Sequence, residues 1–309
     1  MTELLAIKSD FSRNDDWHIA FADKDIDICL WQEIKNPDLV DYALVWKPEP
    51  FELGKFTNLK LIFSVGAGLD HLAGANILPP DIPVIRMVED MLTAGMVEYV
   101  LYQLLRHHRF MSHYETCRSQ KKWEAVLQTP AHGRSVGILG LGVLGQACAK
   151  AISMLGFPVA GWSRTPKSLP GVTSFHGDSQ LDAFLQQSDV LICLLPLTDQ
   201  TQGILNARNL AQLPRGAFLI NAGRGGHQIE TDILTALESG QLSGAALDVF
   251  ETEPLPISSP LWDHPNVTIT PHVASMTDPN SSAIHVYDNI KRYRAGQSLT
   301  HVADMSRGY

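Results

Sequence analysis

The sequence predicts an α/β protein with two parallel sheets, one in each of two domains. Three observations predict it. The chain has 309 residues, enough for about two domains at roughly 150 residues each. Short apolar runs alternate with helical patterns in two successive stretches, as strands joined by helical crossovers do. A long helical segment separates the two stretches. Hydrophobic residues make up 45% of the chain and charged residues 18%, which supplies a buried core for both domains.

In order along the chain, LLAI (4–7) reads as the first strand and DICLW (27–31) as the second, with its Asp and Trp weakening the pattern. YALVW (42–46) is the third and ends at Lys47-Pro48. LKLIFSV (59–65) and IPVIRMV (82–88) follow. MLTAGMVEYVLYQLLRHHRF (91–110) carries apolar residues at helical spacing with almost no breaker and predicts a long, buried helix. YETCRSQKKWEAV continues that pattern until Pro130 stops it. The alternation restarts with SVGILG, PVAGWS, VLICLL, AFLINA, GAALDVF and VTITPHV as strands. Residues 280–294 read as an amphipathic helix, with Ile284, Tyr287, Ile290 and Tyr293 at helical intervals, able to pack back on the first domain. The domains expected are residues 1–97 plus 276–309, for substrate, and residues 98–275, for a dinucleotide.

Charge and cysteine usage bound the partners. Lys and Arg total 24 against 33 Asp and Glu, a formal charge of −9. Such a chain has no bulk attraction for nucleic acid or an anionic membrane. No stretch of about 18 apolar residues is free of charge, so no transmembrane helix is expected. MTELLAIKSDFSRNDDW lacks the basic and then apolar order of a signal peptide. Cys29, Cys117, Cys148 and Cys193 are scattered and form no CxxC pair, which argues against structural zinc or a disulfide framework and suits a reducing cytoplasm. His107, His108 and His113 have no Asp or Cys at a convincing ligand spacing. Their helix-end setting suits solvent, and no metal is expected.

Gly140, Gly142 and Gly145 form GLGVLG between the apolar run VGIL and the helical QACAKAISML. In that setting the spacing signals a dinucleotide. The first glycine permits the tight turn and the second a close approach of backbone to the pyrophosphate. The third permits close helix–strand packing, and Val143 and Leu144 belong to the same contact. The alternative is a glycine turn that serves packing alone. The next strand ends in PVAGWSRTPK. Ser163 therefore stands where an NAD enzyme places an acidic residue, with Arg164 beside it and Lys167 near. An acidic side chain would bind the ribose 2′-hydroxyl and repel a 2′-phosphate. Its absence next to a guanidinium favours NADPH, with NADH the weaker cofactor. A solvated Arg164 is the alternative.

Five further stretches fall in order over residues 136–275: VGILGLGVLGQ, SDVLICLLPLTDQT, GAFLINAGRGG, GAALDVFETEPLP and PNVTITPHVAS, with SVGAGLDH before them. On these residues the chain resembles the D-isomer-specific 2-hydroxyacid dehydrogenase family, most closely its bacterial glyoxylate/hydroxypyruvate reductase subgroup. The resemblance implies two Rossmann-like domains with an active-site cleft between them and a homodimer held by the cofactor domains. It implies reduction of a small 2-keto acid such as glyoxylate or hydroxypyruvate.

The chemistry can also be built from residue types. Reducing a 2-keto acid needs a hydride donor, a proton donor for the carbonyl oxygen and a cation for the carboxylate. His272 in TPHV suits the proton donor, since imidazole titrates near neutrality. The resemblance assigns Glu253 in ETEP to orient and charge-stabilise that ring. Arg224 in AGRGG can fork onto the substrate carboxylate and polarise the keto group. By resemblance Asp248 contacts the nicotinamide side, although it can equally cap the next turn. Leu195, Pro196, Asn221 and Ala222, at strand ends, contact cofactor by the same resemblance. Val65, Gly66, Ala67 and Gly68 follow a strong strand, where small residues expose N–H groups to a carboxylate. Trp46 looks like the subgroup's pocket tryptophan and would restrict the substrate to short acids; a core aromatic is the alternative. His227, after the double glycine, departs from many relatives, and its effect is open. Two other readings keep the fold: a dehydrogenase of larger 2-keto acids, and a nucleotide-sensing binding protein. The Arg224, Glu253 and His272 set weighs against the sensor, which has no need of proton-transfer chemistry.

Overall fold

The computed structural model describes residues 2–9, 14–72, 74 and 76–305. The strands in chain order are β1 (Leu4–Lys8), β2 (Asp27–Leu30), β3 (Val40–Val45), β4 (Leu61–Ser64), β5 (Val84–Ile85), β6 (Val136–Leu139), β7 (Val159–Ser163), β8 (Val172–His176), β9 (Val190–Cys193), β10 (Ala217–Asn221), β11 (Leu242–Leu247) and β12 (Val267–Ile269). The helices are α1 (Asn14–Phe21), α2 (Asp90–His108), α3 (Met111–Ser119), α4 (Val143–Met154), α5 (Leu181–Leu185), α6 (Ala207–Leu210), α7 (Glu230–Glu238) and α8 (Pro279–Arg294). Contacts divide the chain into two compact units, Met1–Leu92 with Met276–Tyr309, and Thr93–Ser275. The division falls earlier in α2 than residues 97/98, because Met96 already packs in the second unit's core with Val100 and Leu104.

In the first unit the strand order is β2-β1-β3-β4-β5, every pair parallel. β1, β3 and β4 bury most of their side chains, as parallel strands covered on both faces do. α8 starts on Asp278, whose side chain accepts the Ser281 N–H at 2.9 Å, with Pro279 at the first helical position. It lies in this unit, where Arg294 Nε donates to Glu3 at 2.7 Å. Its buried face is Ser282, Ala283, Val286, Asn289 and Ile290. Ile284 is exposed, which corrects the stripe expected from the apolar residues alone. Small and polar residues fill the face that the stripe left out.

In the second unit the order is β12-β11-β10-β9-β6-β7-β8, again all parallel. Alternate residues serve two cores, as the pleat requires. Val136, Ile138, Ile192 and Ile220 pack with α2 and α4 through Val100, Leu104, Cys148 and Ile152. Leu139, Leu191, Cys193 and Leu219 pack with α5 and α7 through Leu185, Ile233 and Leu237. The chain leaves β6 at the point where the strand order reverses, the usual ligand position in such sheets.

Two local expectations fail. The helical pattern does not run to Pro130: α2 ends at His108, Phe110 turns left-handed (φ 56°), and α3 ends at Ser119. Lys121 is left-handed (φ 55°) and donates to Arg118 O at 3.1 Å, while Lys122 N–H donates to Cys117 O at 2.9 Å. Those two bonds close a helix end of the type glycine usually makes, and residues 122–130 leave it without regular structure. β8 was not expected. It is a sheet-edge strand with partly exposed side chains, so no apolar run marks it.

Candidate active site

The glycine turn after β6 has the geometry its spacing predicts. Gly140 is left-handed (φ 102°), and a Cβ there would lie 2.7 Å from Leu194 O. Gly142 caps α4 and has nothing within 4 Å of where a Cβ would stand, so the turn is open at that point. At Gly145 a Cβ would fall 1.8 Å from Gly140 O, which is why turn and helix can approach so closely. Val143 begins the helix and is exposed; Leu144 is partly buried. At the end of β7, Ser163 is buried and its hydroxyl donates to Thr165 O at 2.8 Å. That bond shapes the turn carrying the exposed Arg164 and Lys167.

Leu195 and Pro196 follow β9; Asn221 ends β10, and Ala222 to Arg224 follow it. Asn221 is fully buried. Its Oδ1 accepts the Gly223 N–H at 3.1 Å, and its Nδ2 donates to Arg224 O at 3.2 Å and Gln228 Oε1 at 2.8 Å. Its side chain is thus spent on supporting the Arg224 loop. Ala222 is buried beside it. Arg224 is half-buried, and its Nη1 donates to Gly223 O at 2.8 Å. His227 is enclosed under the same loop, with Nδ1 accepting the Arg224 N–H at 3.0 Å and Nε2 3.2 Å from Pro196 O.

The loop after β11 lies against this one. A Cβ on Gly225 would stand 1.8 Å from Phe250 O, and Gln228 Nε2 donates to Val249 O at 3.1 Å. The structure thereby brings the Arg224 loop beside the loop that carries Glu253. Glu253 Oε1 accepts the Phe250 N–H at 3.0 Å, and its Oε2 meets His272 Nδ1 at 2.9 Å. An anionic carboxylate only accepts, so the Nδ1 proton points at Glu253. Both side chains remain partly exposed, at 29% for Glu253 and 27% for His272.

His272 has a left-handed backbone (φ 55°), a conformation that needs support in a non-glycine residue. Asp248 supplies it. Its carbonyl accepts the His272 N–H at 2.8 Å. Its carboxylate accepts from Thr270 Oγ1 at 2.6 Å, Val273 N–H at 2.9 Å and Ala274 N–H at 2.9 Å. The buried carboxylate is therefore fully bonded within the His272 turn, as the capping alternative required. Tyr99 Oη lies 2.8 Å from Thr270 Oγ1 and extends this network to α2. Burial raises the Tyr99 hydroxyl well above the usual phenol range. Tyr99 carries no motif and could not be singled out from sequence; Thr270 opens the TPHV motif, but nothing there marks it as a partner of Asp248.

In the first unit, Trp46 follows β3 and is buried, its ring 4.2 Å from His71 centroid to centroid. A Cβ on Gly66 would lie 2.9 Å from Trp46 Cζ3, so the glycine makes room for the indole. Side chains hold the loop carbonyls. Thr277 donates to Val65 O at 2.8 Å, Ser64 to Gly66 O at 2.6 Å and Arg86 to Ala67 O at 3.2 Å. Ser64 Oγ also lies 3.4 Å from Gly68 O. The N–H groups of Gly66, Ala67 and Gly68 have no acceptor among the described residues. Loop N–H groups arranged in this way favour an anion.

The histidines at the end of α2 are not solvent-facing. His108 is buried, and His107 stacks on Phe218 with ring centroids 4.1 Å apart. Cys117 does join His113: Sγ lies 3.3 Å from Nε2, with Glu124 Oε1 3.6 Å from the same nitrogen. The separation of four residues on α3 places the first pair on one helix face. No fourth acidic, histidine or cysteine donor joins them among the described residues.

The sequence profile of the D-isomer specific 2-hydroxyacid dehydrogenase NAD-binding domain matches residues 101–274. The chain is 42% identical over 277 residues to glyoxylate/hydroxypyruvate reductase A of Escherichia fergusonii, covering 88% of each protein. A D-isomer specific 2-hydroxyacid dehydrogenase of Xanthobacter autotrophicus, solved with NADPH and MES, superposes with a TM-score of 0.95 at 41% identity and covers 100% of both chains. An NADPH-dependent glyoxylate/hydroxypyruvate reductase of Sinorhizobium meliloti, solved with NADP and sulfate, gives a TM-score of 0.95 at 40% identity, again over 100% of both chains. With the fold, the glycine turn and the ordered motifs in agreement, the chain belongs to the D-isomer specific 2-hydroxyacid dehydrogenase family.

Proposed function

We propose that this protein is a cytoplasmic, NADPH-dependent reductase of glyoxylate and hydroxypyruvate, yielding glycolate and D-glycerate. The observation that carries the reading is the 2.9 Å Glu253–His272 pair, with the loop that carries Glu253 packed against that of Arg224. The residues present fit the cofactor. The open turn at Gly142 leads into α4, whose N-terminus favours phosphate. Val143, Leu144, Leu195 and Pro196 complete the dinucleotide contact, with Ala222 and the Asn221 loop behind them. Arg164 and Lys167 meet the 2′-phosphate, since Ser163 brings no competing charge. Asp248 holds the turn at the nicotinamide end.

When bound, the reduced nicotinamide supplies the hydride. Arg224 orients the substrate carboxylate and polarises the keto oxygen; in the first unit the Gly66, Ala67 and Gly68 N–H groups offer anion donors, Val65 N–H being spent on Val45 O at 3.0 Å, and Trp46 beside them favours short acids. As charge develops on that oxygen, His272 delivers a proton from Nε2 while Glu253, on Nδ1, holds the ring and its charge. Exposed Trp123 and Leu127 in the second unit support a homodimer. Four unpaired cysteines support a reducing compartment, with burial pushing the Cys148 and Cys193 thiols up to about 12.

The experiment is a steady-state panel of 2-keto acids, from glyoxylate to phenylpyruvate, with NADPH and NADH. The highest kcat/KM is expected for glyoxylate or hydroxypyruvate with NADPH. Better turnover of phenylpyruvate would overturn the short-acid reading. Tight NADPH binding with no turnover of any acid would make the protein a nucleotide sensor instead.

A further inference from the structure

We propose that His227 is a positioning residue whose ring ties the Arg224 loop to the Pro196 loop, and the inference rests on the reductase reading above. The ring is 0% exposed and sits in the tight turn Gly225–His227. Its Nδ1 accepts the Arg224 N–H at 3.0 Å. A ring nitrogen that accepts carries no proton, so the ring proton is on Nε2. Nε2 lies 3.2 Å from Pro196 O, an atom that can only accept. One tautomer, Nε2–H, satisfies both contacts. An Nδ1–H form or an imidazolium would set N–H against the Arg224 N–H.

The neighbourhood is built around that ring. The Thr201 hydroxyl donates to the same Pro196 O at 2.7 Å, so this carbonyl is held from two directions. A Cβ on Gly223 would stand 3.0 Å from His227 Nδ1, and one on Gly226 would stand 2.9 Å from Leu197 Cδ2. Gly223, just before Arg224, therefore leaves the space in which the ring seats, and Gly226 leaves room for Leu197 beside it. One end of the ring fixes the backbone of the residue that binds the substrate carboxylate. The other end fixes a carbonyl in the cofactor-contact loop. His272 moves a proton at the reacting centre, whereas His227 keeps its proton and holds geometry.

Two half-replacements separate the ends. His227→Asn sets an amide oxygen near the Nδ1 position, keeping an acceptor for Arg224 N–H and giving up the donor to Pro196. His227→Gln reaches farther with its amide nitrogen, keeping that donor and giving up the acceptor. His227→Phe keeps the ring's bulk and loses both. The expected result is a split. The Asn variant raises the NADPH Kd with a near-parental KM for glyoxylate, and the Gln variant raises the glyoxylate KM with a near-parental NADPH Kd. Each change is roughly tenfold, the scale of one lost hydrogen bond. The Phe variant shows both. Losses that follow thermal stability alike in all three, with no split, would overturn the proposal. The second measurement needs no turnover. Ring 15N spectra of the parent, with His227 assigned by its absence from the Asn variant, are expected to show the Nε2–H tautomer at neutral pH. An Nδ1–H or doubly protonated ring refutes the clamp. A parent that binds NADPH but reduces no keto acid would end the reductase reading, while the tautomer and the NADPH Kd would still decide the clamp.

Discussion

His272 meets Glu253 through Nδ1, which leaves Nε2 as the ring atom free to serve the substrate in the proposed reaction. His272→Ala should lower kcat about 10²- to 10⁴-fold, the range for losing a positioned acid–base group. Pre-steady-state mixing with saturating NADPH and glyoxylate checks it, and a parental rate would remove His272 from the chemistry. Glu253→Gln keeps the shape and removes the charge that stabilises the imidazolium. Its kcat for glyoxylate should therefore fall, and a parental kcat with NADPH saturating would refute the coupling. At the cofactor, Ser163→Asp places a carboxylate where the 2′-phosphate is proposed to lie, and Arg164→Ala removes a cation. Each should weaken NADPH by roughly 10- to 150-fold, the worth of a charge-assisted bond, with a much smaller effect on NADH. Fluorescence titration of both cofactors decides it. Arg224, Glu253 and His272 were legible because motif residues bracket them. Asp248 was half legible: a carboxylate after an apolar strand had to be satisfied, but nothing in the sequence told which N–H groups would do so. His227 was a histidine without a role until its two ring nitrogens had partners.

The turn from β6 into α4 shows at the scale of an element what three glycines permit. Gly145→Ala would press a methyl group to 1.8 Å from Gly140 O, so turn and helix must separate. The expected cost is about 1–3 kcal/mol of stability, together with loss of NADPH affinity. A urea midpoint unchanged from the parent would show that the turn relaxes freely. α2 carries the clearest pH dependence. Burial, with Arg134 and His108 adding, pushes His107 down to about 3. The folded ring stays neutral where the unfolded one, near 6.5, takes up a proton. Stability is therefore complete above about pH 6.5 and declines as pH falls toward 3, by about 1.4 kcal/mol per pH unit per proton. His108 and His285 are lowered too and act in the same direction. His107→Phe keeps a ring on Phe218 and should flatten the dependence of the urea midpoint between about pH 4 and 6.5; equal slopes would show that His107 does not titrate on unfolding. The main strands were legible as continuous apolar runs. The end of α3 was not, because Lys121 takes the left-handed position where a glycine would have announced a stop. The buried face of α8 was misread because Ser282, Ala283 and Asn289 are buried while Ile284 is exposed.

Across the whole molecule, repetition of strand and helix made the two-sheet architecture legible, while assembly depends on surface residues whose setting only folding creates. Trp123 and Leu127 lay inside what the sequence offered as a continuing helix. Folded, they stand 104% and 93% exposed on the segment after α3. That segment is not loose: Lys122 N–H is bonded to Cys117 O, and Val126 N–H to Tyr114 Oη at 3.2 Å. Beside it, a groove of about 600 Å³ has a floor of Tyr102, Leu105, Met111, Tyr114 and Val126 with Arg106, Arg109, Glu115 and Gln128 also in its lining. An exposed indole on a backbone held at both sides, next to a groove with an aromatic and aliphatic floor and a charged margin, suits an interface centre. In a two-fold pair, one protomer's projecting residues can fill the partner's groove and receive the same in return. The parent should therefore scatter light at twice the 34.0 kDa chain mass at micromolar concentration, and the double variant Trp123→Ser, Leu127→Ser should fall to the single-chain mass. Both substitutions remove solvent-exposed apolar surface, so circular dichroism and thermal unfolding of the monomer should still report a folded chain. A double variant that keeps the doubled mass would place the interface elsewhere. A parent at the single-chain mass would end the homodimer reading, leaving the exposed indole without a partner.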